Sequence, residues 1–166
     1  STAGSLTQFK VYGTASGTMN GGGTVNIFDG DTVTGTVGNT VWSCTETQYW
    51  IPGANYNFAA VVDATVTDKD TYGMPTTLTT IADDAQTGNM NLKDMLYAEV
   101  SVEGTKVTAT YDELVKFTFS HLLSKVKFTV TSTAQGNYYH KVTGIKVSNF
   151  ESGTYTVNGG NWAGTG

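Results

Sequence analysis

The sequence is poor in cysteine, histidine and charged residues, and each shortage excludes a class of site. Because Cys44 is the only cysteine, neither an internal disulfide nor a cysteine-based zinc site can form, and we expect this thiol to pack as a small buried hydrophobic group. The two histidines lie apart in the sequence, without a third ligand at a recognisable spacing. No metal or other cofactor is therefore predicted.

Charge is scarce and its balance is acidic. Charged residues make up 14% of the chain, the formal net charge is −5 and the pI is about 4.8. Nucleic-acid binding depends on clustered lysine and arginine, so we expect no nucleic-acid partner. The surface is left to uncharged polar residues, mainly Thr, Gly, Ser and Asn, and β-branched threonine suits the pleated surface of a strand.

Long hydrophobic runs are also missing. No stretch reaches the roughly 20 apolar residues that a membrane-spanning helix needs. The chain begins at Ser1 without a methionine or a signal-like apolar run, which indicates a processed or trimmed chain. Its 166 residues are enough to bury a core without metal or disulfide support, so we expect a single domain over residues 1–166.

What the sequence does contain is a series of short alternating runs between turn signals, which is typical of strands. TVNIF (24–28) and DTVTGTV (31–37) flank a tight DGD and are predicted to form a hairpin, with Gly30 at positive φ. Residues 65–91 lack a period and predict a long exposed connection, while residues 91–100 predict a short helical turn. Further strands are predicted in QFKVYG, TVWSCTE, YNFAAVVDA, TKVTATY, LVKFTF, SKVKFTVTS, YHKVTGIKVSN and GTYTVNG. The absence of a βαβ rhythm favours an all-β, antiparallel Greek-key β-sandwich.

The stretch VKFTFSHLLSKVKFTV, residues 115–130, changes its alternation in the middle. Phe117 and Phe119 stand at odd positions, whereas the apolar residues Val126, Phe128 and Val130 stand at even positions, so the two sets would point to opposite faces of a continuous strand. His121 shares the parity of the two phenylalanines, so we predict a buried, hydrogen-bonded histidine that is needed for folding and not for chemistry. Ser120 would point to the opposite face of a strand, which excludes a catalytic pair with His121.

Two binding hypotheses stay open beside a structural role. The acidic loops at residues 29–31, 68–70 and 83–84 offer oxygen ligands for calcium, although aspartate is a common turn former and turns are the favoured interpretation. His140 follows a turn and is expected to be exposed. The aromatic residues suggest sugar binding, although Trp42 and Trp50 are predicted to pack in or beside the core. A secreted or surface carbohydrate-binding module is therefore the alternative function. A hydrolase is not supported, since no nucleophile, base and orienting group can be placed together.

The run LVKFTFSHLLSKVKFTVTS resembles the signature of the Bacteroidetes fimbrillin-like family, the major and minor pilins and their surface relatives. That signature is an apolar strand, Phe-x-His, Leu-(Ser/Ala)-Lys and a second apolar strand. Four further segments resemble the family in the same order: QFKVYGTA, YWIPGANYNFAAVVDA, LKDMLYAEV and VTGIKVSNFESGTYTVNGGNW. The resemblance extends over residues 8–162. The positions that carry it are Phe117, Phe119, His121, Leu123, Lys125, Trp50, Pro52, Tyr56 and Phe58.

This resemblance implies a transthyretin-like sandwich, no enzyme activity, and export as a lipoprotein to the outer membrane and cell surface. It implies assembly into fimbriae with other subunits by strand addition, and adhesion to host or bacterial surface ligands. Cys44 lies too deep in the chain to be the lipidated cysteine of family precursors. Since many members have a second domain, this chain would be the N-terminal domain of a longer protein. The predicted assembly strand is the first segment, with Leu6, Phe9 and Val11.

The parity break has a structural explanation in this context. His121 matches the signature histidine, and the change of alternation marks the place where a strand ends or bulges so that the chain turns a corner or passes to the other sheet.

Overall fold

The computed structural model describes residues 6–17, 21–38, 41–82, 92–133, 136, 141–146 and 152–165. Within these residues the regular structure is entirely β and there is no helix. The strands are β1 (Gln8–Ser16), β2 (Thr24–Thr34), β3 (Ser43–Cys44), β4 (Asn55–Val62), β5 (Ala64–Lys69), β6 (Pro75–Thr80), β7 (Leu96–Val102), β8 (Ser120–His121), β9 (Ser152–Thr156) and β10 (Asn161–Thr165). The predicted all-β class is confirmed.

The strands form two antiparallel sheets. The six-stranded sheet has the order β3-β2-β1-β4-β7-β8, and the four-stranded sheet has the order β10-β9-β6-β5. β1 and β4 lie at the centre of the larger sheet, and seven residue pairs join β4 to β7, from Tyr56–Val102 to Val62–Leu96. The two sheets are arranged as a sandwich.

The sandwich core is a group of buried side chains that we call the inter-sheet cluster. Ala59 and Val61 of β4 belong to it with Tyr12 of β1, and Leu78 of β6 meets them from the four-stranded sheet. Leu78 and Met95 are fully buried. Because side chains alternate along a strand, residues of β4 at the odd positions 59 and 61 both point into this layer.

The opposite face of the six-stranded sheet is also buried. Phe9, Val11, Ala60 and Val62 lie in a second group, the outer cluster, and Tyr56 and Phe58 lie in a third beside it. Both groups pack against residues of the 105–119 segment, which lies outside the sheets. β4 is therefore covered on both faces, which explains its nearly continuous apolar sequence NYNFAAVV.

The predicted hairpin at residues 24–37 is wrong, because β2 runs through the DGD without turning back. Val11 of β1 pairs with Asp31 and Tyr12 pairs with Asp29, so Gly30 is an unpaired bulge residue. Its φ of 92° is positive, as predicted. A glycine at positive φ fits a β-bulge as well as a tight turn, and only the pairing of β2 with β1 distinguishes the two.

Two further predictions in the middle of the chain are wrong. The supposed connection at residues 65–91 contains most of β5 and all of β6, which pair with each other, while residues 83–91 lie outside the described part of the chain. Threonine obscures the alternation of apolar and polar residues in this segment, because it is polar and yet fits a strand well. In place of the predicted helical turn at residues 91–100, the structure has strand β7 from residue 96 onward. Pairing with β4 overrides the helix-like spacing of the leucines in this segment.

Strand predictions in the second half are only partly correct. GTYTVNG, residues 153–159, overlaps β9 except for its first residue, Ser152. Residues 105–111, 114–119, 124–132 and 141–146 have no assigned strand, and only Ser120–His121 joins the six-stranded sheet. The 105–119 segment instead uses its apolar side chains to cover the sheet, which satisfies hydrophobic burial without sheet hydrogen bonds.

Candidate assembly site at the first strand

β1 is held on both sides by backbone pairing. It forms nine residue pairs with β2, from Gln8–Thr34 to Ser16–Thr24, and seven with β4, from Lys10–Val61 to Ser16–Asn55. A chain without β1 would have a slot between β2 and β4, bordered by two rows of unpaired backbone groups. Such groups are strong hydrogen-bonding sites for another extended segment.

The side chains of β1 anchor it in the core. Phe9 is 9% exposed, and its ring lies 5.5 Å from Trp42, 5.6 Å from Phe117 and 5.5 Å from Phe119. Val11 is buried in the same outer cluster, and Leu6 is partly buried against it. The three residues of the predicted assembly strand therefore share one apolar environment.

An apolar groove of about 530 Å³ runs along this environment. Its lining includes Leu6, Phe9 and Val11 of the first segment and residues 114–117 with Phe119. The remaining lining residues are Phe28, Val33, Val37, Gly38, Val41, Trp42, Cys44 and Phe58. Six aromatic rings line a space next to β1, which suits apolar side chains of an added segment.

His121 is exposed, so the prediction of a buried histidine is wrong. Its side chain is 61% exposed, and its Nδ1 lies 2.9 Å from Asp94 Oδ2. Among the described strands, β8 lies at the edge of its sheet and pairs with β7, through Leu96–His121 and Tyr97–Ser120. At a sheet edge, parity does not guarantee burial, because a side chain can reach solvent past the last strand.

The contact with His121 affects the pKa of the Asp94 carboxyl group. Its burial raises the pKa, while the hydrogen bond with His121 lowers it, and the net pKa lies below the ordinary value for aspartate. The pair is an ion pair only when the imidazole is protonated.

The change of alternation after His121 is where the chain crosses from one face of the sheet to the other. Phe117 and Phe119 pack on the outer cluster, whereas Leu122 and Leu123 pack on the inter-sheet cluster. The Leu122 N–H donates to the Met95 carbonyl at 2.9 Å and fixes the turn. This geometry agrees with the predicted corner at the end of a strand.

The aromatic positions of the second signature segment form a separate structural cluster. The Trp50 ring lies 4.7 Å from Tyr56 and 4.9 Å from Tyr111, nearly perpendicular to both. The Tyr56 hydroxyl accepts a hydrogen bond of 2.7 Å from the Ile51 N–H, and Phe58 packs in the same group. Trp42 and Trp50 both pack against core clusters, as predicted.

Pro52 and Gly53 make the expected turn before β4. Gly53 has a φ of 80°, and its N–H donates to the Val107 carbonyl at 2.8 Å. This bond ties the turn to the 105–119 segment. The segment is thus held to the sheet by backbone as well as by apolar contacts.

Only some of the remaining candidate residues lie in the described part of the chain. Cys44 is half-buried beside the outer cluster, and Lys125 is exposed. His140 and the acidic pair at residues 83–84 lie outside the described residues. Among the residues that the structure describes, no three histidine, cysteine or acidic side chains are grouped to hold a metal.

Asp70 illustrates the structural use of the acidic loops. Its Oδ1 accepts hydrogen bonds from the N–H groups of Tyr72, at 2.8 Å, and Met74, at 2.9 Å. The carboxylate therefore shapes the turn between β5 and β6, in agreement with the turn interpretation.

A polar contact between the sheets was not foreseen. Lys69 of β5 lies 2.6 Å from Asp29 of β2 and 5.2 Å from the centre of the Tyr12 ring. The hydrogen bond with Asp29 raises the pKa of Lys69, and burial raises the pKa of Tyr12. The partners are 40 residues apart, so no local sequence signal could have indicated the contact.

These features describe an antiparallel β-sandwich of two sheets. A model of the fimbrillin-like family matches residues 2–166, and the chain belongs to this family. The family consists of structural proteins and indicates a cell-surface fimbrial subunit that assembles with other subunits. No curated protein and no solved structure matches the chain. None of the described residues forms a helix that is long and apolar enough to cross a membrane.

Proposed function

We propose that this chain is a structural subunit of a fimbria and joins its neighbours by strand addition. The observation that carries the proposal is the place of β1, the first described strand, between β2 and β4. Removal or displacement of β1 would open a slot in the middle of the sheet. A strand from another subunit would restore the main-chain hydrogen bonds and fill the vacated side-chain positions.

Specificity in this proposal comes from the two faces of β1. Phe9 and Val11 point to the outer cluster, and Tyr12 points to the inter-sheet cluster. A donated strand must therefore present apolar side chains at alternate positions and a further apolar group on its other face. Because an empty slot would expose both clusters to water, the hydrophobic effect favours its occupation.

The cellular setting is part of the same proposal. The subunit is exported and held at the outer membrane by a lipid anchor outside this chain, and residues 1–166 form one domain, the N-terminal domain of a longer protein. The sandwich is of the Greek-key, transthyretin-like type. Adhesion to host or bacterial surface ligands is the proposed outcome of display on a fimbria. Family membership and the low-charge, threonine-rich composition support this setting.

A peptide complementation experiment tests strand addition directly. The chain without residues 1–13 is mixed with a synthetic peptide of residues 5–17, and binding is followed by calorimetry and by the melting temperature. We expect the peptide to bind and to raise the melting temperature. The matched control is the same peptide with Phe9→Ser and Val11→Ser, which should bind at least about tenfold more weakly because it lacks the two buried side chains.

The same deletion in the full-length precursor tests the role in cells by electron microscopy. If β1 occupies the slot before assembly, its loss should increase filament formation, since the slot is open from the start. Normal filaments from a subunit of unchanged stability, together with no peptide binding, would eliminate β1 from the mechanism.

A further inference from the structure

The charges of the chain are separated along its sequence. Residues 114–150 contain five lysines and no aspartate or glutamate. Because the whole chain has a net charge of −5, this segment carries +5 and the other residues together carry −10. A strongly basic segment thus belongs to an otherwise strongly acidic molecule.

Part of this segment is uncovered in the structure. Every residue from 124 to 133 is exposed and has no assigned strand or helix. Val126, Phe128 and Val130 are 68%, 54% and 59% exposed, and Lys125 and Lys127 alternate with them. We call residues 124–130 the basic strip. In extended form it would present three apolar side chains on one face and both lysines on the other.

A run of this kind is costly to leave in water. Adjacent large apolar groups on a soluble surface mark an interaction site more often than isolated ones do. The described acidic residues of the same molecule do not cover the strip. Its lysines are therefore accessible to another molecule.

We propose that the basic strip docks on acidic residues outside residues 114–150 of a second copy of this chain, through a contact that is separate from strand addition at β1. Charge complementarity identifies the partner, since each copy carries a +5 segment and a −10 remainder. Lysines of the strip steer the approach and fix the orientation, and the apolar side chains are removed from water in the contact.

This contact joins two different surfaces, so it is heterologous. Each copy keeps one strip and its acidic residues outside 114–150 free for the next, and copies can add head to tail. The contact needs no displacement of β1. It would therefore persist in a folded chain even if strand addition proved wrong.

Sedimentation velocity of the intact 166-residue chain tests the proposal. We expect reversible association at about 50 mM NaCl, with a dissociation constant that rises about tenfold or more at about 500 mM NaCl, because salt screens the charges. Lys125→Glu with Lys127→Glu should weaken association at least about tenfold at low salt. Lys93→Glu with Lys106→Glu makes the same change in net charge outside the segment, and should weaken it less than about threefold.

A separate variant tests the contribution of the apolar face of the basic strip to association. Phe128→Ser removes an exposed ring without changing charge, and should weaken association at both salt concentrations. Because Phe128 is exposed, the variant is expected to keep the melting temperature of the parent chain.

The site on the second copy is found by zero-length carbodiimide cross-linking of a mixture of ¹⁴N- and ¹⁵N-labelled chains. Cross-links between isotopes should concentrate on Lys125 and Lys127 and on carboxylates outside residues 114–150. Three results would overturn the proposal: a monomer at all salt concentrations, association unchanged by the double lysine variant, or cross-links spread evenly over all lysines. Monomers that bind phosphatidylglycerol vesicles through Lys125 and Lys127 would also overturn it, and would assign the strip to an anionic membrane surface.

Discussion

His121 Nδ1 lies 2.9 Å from Asp94 Oδ2 at the corner where the chain passes from the outer face of the six-stranded sheet to the layer between the sheets. The contact joins β8 to the residues just before β7, and β8 pairs with β7 through only two residue pairs. The histidine of the signature therefore supports the corner from the surface. The phenylalanines before it and the leucines after it are the groups that enter the core.

Replacement of His121 by alanine should lower the free energy of unfolding by less than about 1 kcal/mol, because exposed ion pairs contribute little. Phe119→Ala, two residues earlier, should cost clearly more, since its ring contacts Phe9. Urea denaturation measures both. A double-mutant cycle with Asp94→Asn isolates the pair. A loss above about 2 kcal/mol for His121→Ala would show that the histidine is a core residue after all.

The Asp94 carboxyl group should make the free energy of unfolding depend on pH in the acidic range. Its pKa in the folded chain is lowered, with burial opposing and the His121 hydrogen bond favouring the charged form. A lowered folded pKa stabilises the protein above the unfolded value of about 3.9, and this contribution is lost as the pH falls through the folded pKa. Asp94→Asn should therefore flatten the decline of melting temperature below about pH 4. Identical declines in both proteins would contradict this assignment.

Leu78 and Leu114 offer a matched pair for the sandwich core. Leu78 is fully buried between the sheets, whereas Leu114 is 55% exposed. Leu78→Ala should destabilise by about 2–5 kcal/mol, because it removes buried methyl groups and leaves a cavity. Leu114→Ala should cost less than about 1 kcal/mol. Equal losses in chemical denaturation would mean that the four-stranded sheet does not cover the larger one as described.

Gly104 should tolerate no side chain. A Cβ at this position would approach the Gly53 carbonyl oxygen far inside van der Waals contact, and that oxygen belongs to the backbone and cannot move aside cheaply. Gly104→Ala should therefore lower stability by about 1–3 kcal/mol or more. Gly144→Ala is the control, since nothing lies within 4 Å of the place that its Cβ would take. Thermal melts of the two variants that coincide would refute the close approach of the turn at Gly53.

Much of the architecture was predictable from local patterns. β1 and β4 were found because a period of two between turn signals is a property of consecutive residues. The turn at Pro52 and Gly53, the positive φ of Gly30 and the corner after His121 also depend on short stretches of chain. The β-sandwich class followed from these elements together.

Other features depend on which strand lies next to which. The same glycine at position 30 suits a hairpin turn or a bulge, and pairing of β2 with β1 decides for the bulge. Lys69 meets Asp29 only because the two sheets stack, across 40 residues of sequence. The parity of His121 indicates a face of the sheet, but not that β8 lies at the edge. Alternation along a chain determines which side chains share a face, whereas burial depends on the neighbour beyond that face, and only the tertiary structure supplies that neighbour.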